Sequence, residues 1–283
     1  MPKVRRPTVA GTFYEAKPEE LKGQIEGCFL HELGPGSLPI VMGSPINNLI
    51  GVLCPHAGYM YSGPVAAHSY SKLASCGKPD TVVLFGPNHT GMGSGLAAAE
   101  GGFWKTPLGE VEVDSAIIKD IALFSGIVDF DDSAHASEHS IEVQLPFLQY
   151  LYGSSFKIVP ISFLMQDLAS SVEVGKATAK ALKGKNSVII ASSDMSHYEP
   201  REQANRKDKL VIDSFEALDE ERLYNVIASN NISACGYGPI AALIAASKQM
   251  GVREAKLLCY ETSGGVTGDY SAVVGYAAAA FMK

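Results

Sequence analysis

The sequence is short of most features that would place it quickly. It has five cysteines, an odd number at unpaired spacings, so no disulfide framework can be read from it, and reduced thiols in a cytoplasmic protein are the expectation. It has a single tryptophan, and no apolar run reaches the length of a bilayer span; the stretch Ala272–Phe281 is too short and is interrupted by Gly275. The opening residues MPKVRRPTVAG lack the apolar core of a signal peptide. Cationic surface is also scarce: the formal charge is -7, and Lys3, Arg5 and Arg6 form a short basic knot that reads as a solvated terminus. Nucleic acid is therefore not an expected partner, because phosphate binding needs clustered Lys and Arg. There is no GxSxG elbow, no P-loop, no HExxH and no GxGxxG opening a helix, and Gly264, Gly265 and Gly268 lie in a predicted hairpin connection instead.

What is present is a core. With 46% hydrophobic and 19% charged residues over 283 positions, and no linker dividing the chain, the expectation is one α/β domain over 1–283. Apolar runs at 49–54, 81–85, 156–161 and 187–191 read as strands covered on both faces, since they do not alternate with polar residues. Helical stretches are predicted at 64–73, 114–124, 138–152 and 167–182. Alternation of this kind implies βαβ units and a three-layer αβα fold with a largely parallel sheet. The region 96–113 suggests a hairpin. Segments 255–262 and 270–281 suggest two antiparallel strands, which would make the sheet mixed.

Three of the predicted strands stop sharply and are followed by histidine: Cys54-Pro55-His56, Gly86-Pro87-Asn88-His89, and Ser192-Ser193-Asp194-Met195-Ser196-His197. Residues just beyond the carboxyl ends of parallel strands face the crevice where α/β proteins bind ligands. Imidazole is a good ligand for iron, copper and zinc. His56 and His89 are accordingly candidate metal ligands, with hydrogen-bonded loop histidines as the alternative. Cys235 precedes a predicted helix at 240–250, with Pro239 suited to its first position, and a thiol at a helix N-terminus tends toward a depressed pKa. It can be a ligand, a nucleophile or an inert buried thiol.

Asp194 and His197 share one loop. They can orient a ligand or exchange a proton, or they can be turn residues. If 138–152 is helical, His139 and Glu142 share a face and can ligate or support a metal, or simply open a surface helix. Cys54 and Cys259 read as buried strand thiols, Cys28 and Cys76 as peripheral, and His31, His68 and His135 as structural.

Taken together, the blocks RPTVAGTFY at 6–14, CPHAGYMYSG, FGPNHTG, EHSIEVQLPFLQ, SSDMSHY and ACGYGPI resemble the Memo family over essentially the whole chain. Its microbial members are named AmmeMemoRadiSam system protein B. The family is similar in fold to class III extradiol dioxygenases of the LigB superfamily, which bind iron(II) through two histidines and a glutamate. The resemblance implies iron(II) or copper on His56, His89 and Cys235, the cysteine standing where the dioxygenases have their carboxylate, with Asp194 and His197 beside them as catalytic groups. It also implies an Amme-type and a radical-SAM protein as partners. The functional expectation is a metal-dependent redox protein. The alternatives are a peptide- or protein-binding module using the same pocket, and a cysteine hydrolase or transferase with Cys235 as nucleophile and His197 as base.

Overall fold

In the computed structural model, which describes residues 3–283, the four apolar runs are all fully buried strands or nearly so: Leu49–Cys54, Thr81–Pro87, Lys157–Phe163 and Ser187–Ser192. They lie side by side in parallel, in the order Lys157–Phe163, Thr81–Pro87, Ser187–Ser192, Leu49–Cys54. Strand Ser187–Ser192 thus separates the two strands that lead to His56 and His89. Val273–Met282 continues the sheet antiparallel to Leu49–Cys54 and pairs in turn with Glu254–Thr262, so the sheet is mixed as expected. At the other side the hairpin Phe103–Thr106/Gly109–Val113 joins in parallel to Lys157–Phe163, and the first strand, Val4–Arg5, adds outside it.

Helices cover both faces. Tyr59–Cys76 lies on one, with Pro18–Leu30 and Leu145–Tyr152 beside it. Tyr237–Gln249 lies on the other, flanked by Leu168–Ala181 and then by Ser115–Ser125. Asp114 and Asp167 start two of these helices by accepting from Ile117 N–H and Ser170 N–H, which satisfies donors no helical carbonyl can reach. Small residues set the spacing of the second layer. A Cβ on Gly175 would lie 2.3 Å from the Ala242 carbonyl oxygen, so any larger residue there would force the two helices apart.

Several expectations need correcting. Helix Tyr59–Cys76 starts more than a turn before Pro64, because buried Tyr59 anchors that turn through a 2.6 Å bond from its hydroxyl to the Val143 carbonyl. Residues 138–141 are not helical. A 3-10 turn at Glu142–Gln144 leads into Leu145–Tyr152, so His139 and Glu142 do not share a helix face. Helix Tyr237–Gln249 begins at Tyr237, which puts Pro239 third rather than first; it is tolerated because first-turn N–H groups have no helical acceptor. Cys28 and Cys76 are buried, not peripheral, and Cys259 is only half-buried. Arg201–Glu216 and Glu220–Asn230, polar helices that the apolar pattern did not announce, complete the second layer. No helix among the described residues is long and apolar enough to cross a membrane.

Candidate metal centre

Cys54, Pro87 and Ser192 end neighbouring parallel strands, and the chain then releases His56, His89 and the Asp194–His197 loop at one edge of the sheet. The intervening strand does not keep the histidines apart: the His56 and His89 rings are 5.2 Å between centroids. His139 joins them from the irregular segment before the 3-10 turn, 4.7 Å from the His89 ring and 5.5 Å from the His56 ring. One potential ligand atom from each of the three lies within 4.8 Å of the others.

Two of the imidazoles are hydrogen-bonded through Nδ1, and the third has its Nδ1 beside a carboxylate. The Nδ1 of His56 meets Ser192 Oγ at 2.9 Å, and Ser192 Oγ itself donates to the Ser140 carbonyl. The Nδ1 atoms of His89 and His139 approach the same oxygen of Glu138, at 3.0 and 3.3 Å. With the Nδ1 atoms of His56 and His89 bonded, Nε2 is the nitrogen each of these two rings has left for a metal. Fixing one ring nitrogen by a carboxylate or hydroxyl is how metal-binding histidines are oriented. Two of the rings are also biased toward the neutral form. Burial, then the charges of neighbouring histidines, hold the His56 imidazole well below its ordinary value. His139 is lowered mainly by burial, against the opposing pull of Glu138. Neutral imidazole is the form that binds a metal. The donor set and its supports fit a transition ion.

Cys235 borders this cluster rather than standing apart from it. Its Sγ lies 3.2 Å from His56 Nε2 and accepts from the Asp194 N–H at 3.3 Å. The placement depends on Gly236, whose N–H donates to Ser193 Oγ; a Cβ there would lie 2.4 Å from the Ser192 carbonyl oxygen. Only glycine lets the helix start press so closely on the end of that strand. The helix terminus does not depress the thiol: burial, then the Asp194 carboxylate, push Cys235 above its ordinary value. Cys235 is half-buried and Asp194 is buried. Desolvation raises it to about 6, against the opposing hydrogen bond from the His56 N–H at 2.8 Å. It thereby fixes the His56 backbone. His197 sits at the rim, its Nδ1 bonded to the Ser233 carbonyl at 2.9 Å.

Glu142 is placed differently from the expectation that it supports the metal. Its carboxylate is fully buried and takes Arg5 Nη1 at 2.6 Å, the N–H groups of Thr8 and Val9, and the Tyr14 hydroxyl at 2.7 Å. Arg5 is correspondingly no solvated terminal charge: its side chain is 10% exposed, and it also donates to the carbonyls of His135 and Glu138. The pair clamps the N-terminal segment onto the loop that carries Glu138 and His139, and brings the Phe13 ring to 4.8 Å from His139. Glu138 is the residue that sequence reasoning missed. Its signal, a carboxylate directly before a histidine in a non-helical stretch, was hidden by assigning that stretch to a helix.

A cavity of about 580 Å³ opens above the cluster, with Phe13, Tyr61, Tyr198, Tyr276, Asp194 and His197 among the residues that line it. Fold and site together define a three-layer α/β protein with three clustered histidines that can hold a metal ion at the carboxyl edge of its sheet. The chain matches the Memo-like protein family over residues 5–280 and belongs to it. A MEMO1 family protein of Methanopyrus kandleri is 54% identical over 99% of both chains. Another, from Methanothermobacter thermautotrophicus, is 51% identical over 97% of this chain and 99% of its own. A solved structure of an uncharacterized protein from Escherichia coli K12 matches with a TM-score of 0.53 at 16% identity, covering 81% of this chain and 99% of that one, a likeness of fold.

Proposed function

We propose that this chain is a metal-dependent redox protein that holds iron(II) or copper on His56, His89 and His139, with the Cys235 sulfur as an adjoining soft donor. The observation that carries this reading is the convergence of three imidazoles, two of them hydrogen-bonded at Nδ1 by a hydroxyl or a carboxylate. When bound, the ion supplies electron transfer or activation of a small ligand in the open cavity. The protein's own groups prepare that chemistry. Ser192 and Glu138 set the rings, and the walls narrow the access of water. Asp194, raised toward neutrality by burial, and His197 at the rim are placed to hold or pass a proton in the cavity. Three imidazoles and a thiolate differ from the two histidines and carboxylate of extradiol dioxygenases. The sulfur favours copper(I) more than a carboxylate would. An Amme-type and a radical-SAM protein are the proposed partners, on the strength of the family's microbial naming.

The test is anaerobic reconstitution with iron(II) and with copper(I), followed by elemental analysis and oxygen-consumption measurements. One equivalent of metal lost in His56→Ala supports the reading, and metal content unchanged in that variant overturns it. A binding module that uses the pocket without metal would instead show ligand affinity indifferent to chelation.

A further inference from the structure

The opposite edge of the sheet carries a second cavity, of about 730 Å³, where strands Leu49–Cys54 and Ser187–Ser192 begin. Six residues of strand put it about 20 Å from the histidines. Its rim holds Lys176, Lys180, Lys183 and Lys185, with Lys283 beside them, all exposed, and neither an acidic side chain nor an arginine lines it. Among the described residues none of the four makes an ion pair, although eight other lysines do. This is an unusual concentration for a chain of net charge -7: four of its 23 basic residues fall within ten positions. Lys176 and Lys180 are four apart on one helix, a like-charge spacing that costs stability.

Two helices, Leu168–Ala181 and Tyr237–Gln249, end at this cavity, and cations near helix C-termini are favourable. That accounts for only part of the charge. Two termini present about half a negative charge each, against four ammonium groups. The remaining positive potential faces a cavity whose lining mixes the apolar Ile46, Leu49 and Met250 with the polar Asn48, Asn186 and Gln249. Ammonium groups bind phosphate as point charges, and several of them around one cavity suit a group carrying more than one negative charge.

We propose that this cavity binds a phosphorylated small molecule, its phosphates on Lys176, Lys183 and Lys185 and its carbon skeleton against Ile46, Leu49 and Met250 as the apolar wall. The test is calorimetric titration with ATP and with tripolyphosphate at low and moderate salt. Lys180 also packs on the Phe124 ring, so the variant is better made at Lys176→Glu with Lys183→Glu, both exposed and free of that contact. ATP is expected to bind saturably, more weakly as salt rises, with the double variant weaker by about tenfold or more and unchanged in melting temperature. Tripolyphosphate should bind more weakly than ATP, and His56→Ala should leave ATP binding intact. Absence of saturable ATP binding, or binding indifferent to the double variant, overturns the proposal. So does loss of ATP binding in His56→Ala, and tripolyphosphate as tight as ATP would remove the role of the apolar wall.

Discussion

Glu138 accepts from the His89 imidazole at Nδ1, 3.0 Å away, and with the same carboxylate takes the N–H groups of His89, His139 and Ser140. A single buried side chain therefore fixes two of the three clustered histidines. Burial pushes its carboxyl up, but the His89 contacts and the backbone N–H bonds outweigh that and bring it down to about 2. Glu138→Gln, which keeps the shape and removes the charge, should weaken metal binding about 10- to 100-fold. Chelator competition reads this, with thermal melting as the control for folding. Unchanged affinity would mean the carboxylate does not orient the ligands.

His139→Ala should lower metal content as severely as His56→Ala or His89→Ala, with the fold retained, because all three are loop residues at a pocket. Elemental analysis of the three variants, prepared together, decides it. Full occupancy in His139→Ala alone would leave Cys235 as the third ligand.

The thiol of Cys235 reports its own role through pH. Raised by burial and by Asp194, it should remain protonated in metal-free protein at pH 7, so iodoacetamide should react slowly there and faster as pH climbs. Metal-loaded protein should resist alkylation across the whole range if sulfur is a donor. Cys54, fully buried and pushed up to about 12, serves as the unreactive control. Equal rates with and without metal would remove sulfur from the coordination sphere. Rapid reaction of the metal-free protein at pH 7, abolished in His197→Ala, would favour a cysteine nucleophile.

Acid stability should follow Glu142. Burial pushes its carboxyl up, while Arg5, the Tyr14 hydroxyl and the Thr8 N–H more than offset this and hold it below the usual range. A depressed carboxylate stabilises the fold fully above its unfolded pKa, and that contribution is lost as pH falls through the folded value. Glu142→Gln should cost about 3–5 kcal/mol at pH 7, the usual cost of breaking a buried pair, and should flatten the loss of stability below about pH 4.5. Urea unfolding at pH 7 and pH 4 measures both. A variant with the wild-type pH slope would show that Glu142 does not titrate with unfolding.

The four parallel strands were legible because short uninterrupted apolar runs bounded by turn residues fit strands covered on both sides. Their abrupt stops at Pro55, Pro87 and Ser192 pointed to the edge where His56, His89 and Asp194 lie. The helix assigned to 138–152 concealed both Glu138 and the place of His139. Its apolar residues carry helical spacing only from Leu145 onward, and the irregular part before them is held by contacts from residues 5–14, more than a hundred positions away. Arg5 looked like part of a solvated knot for the same reason: its partner is remote in sequence.

By itself the sequence determined the layered α/β class, the family and the edge of the sheet at which chemistry is placed, because each follows from local periodicity, strand ends and contiguous motifs. Tertiary structure decided which groups meet. Strand order brings His56 and His89 together across an intervening strand, and Gly236 lets Cys235 reach His56. The Arg5–Glu142 clamp seats the loop that delivers Glu138 and His139. These are contacts between segments remote along the chain, set by packing and by the need to pair buried charge, and no local pattern encodes them.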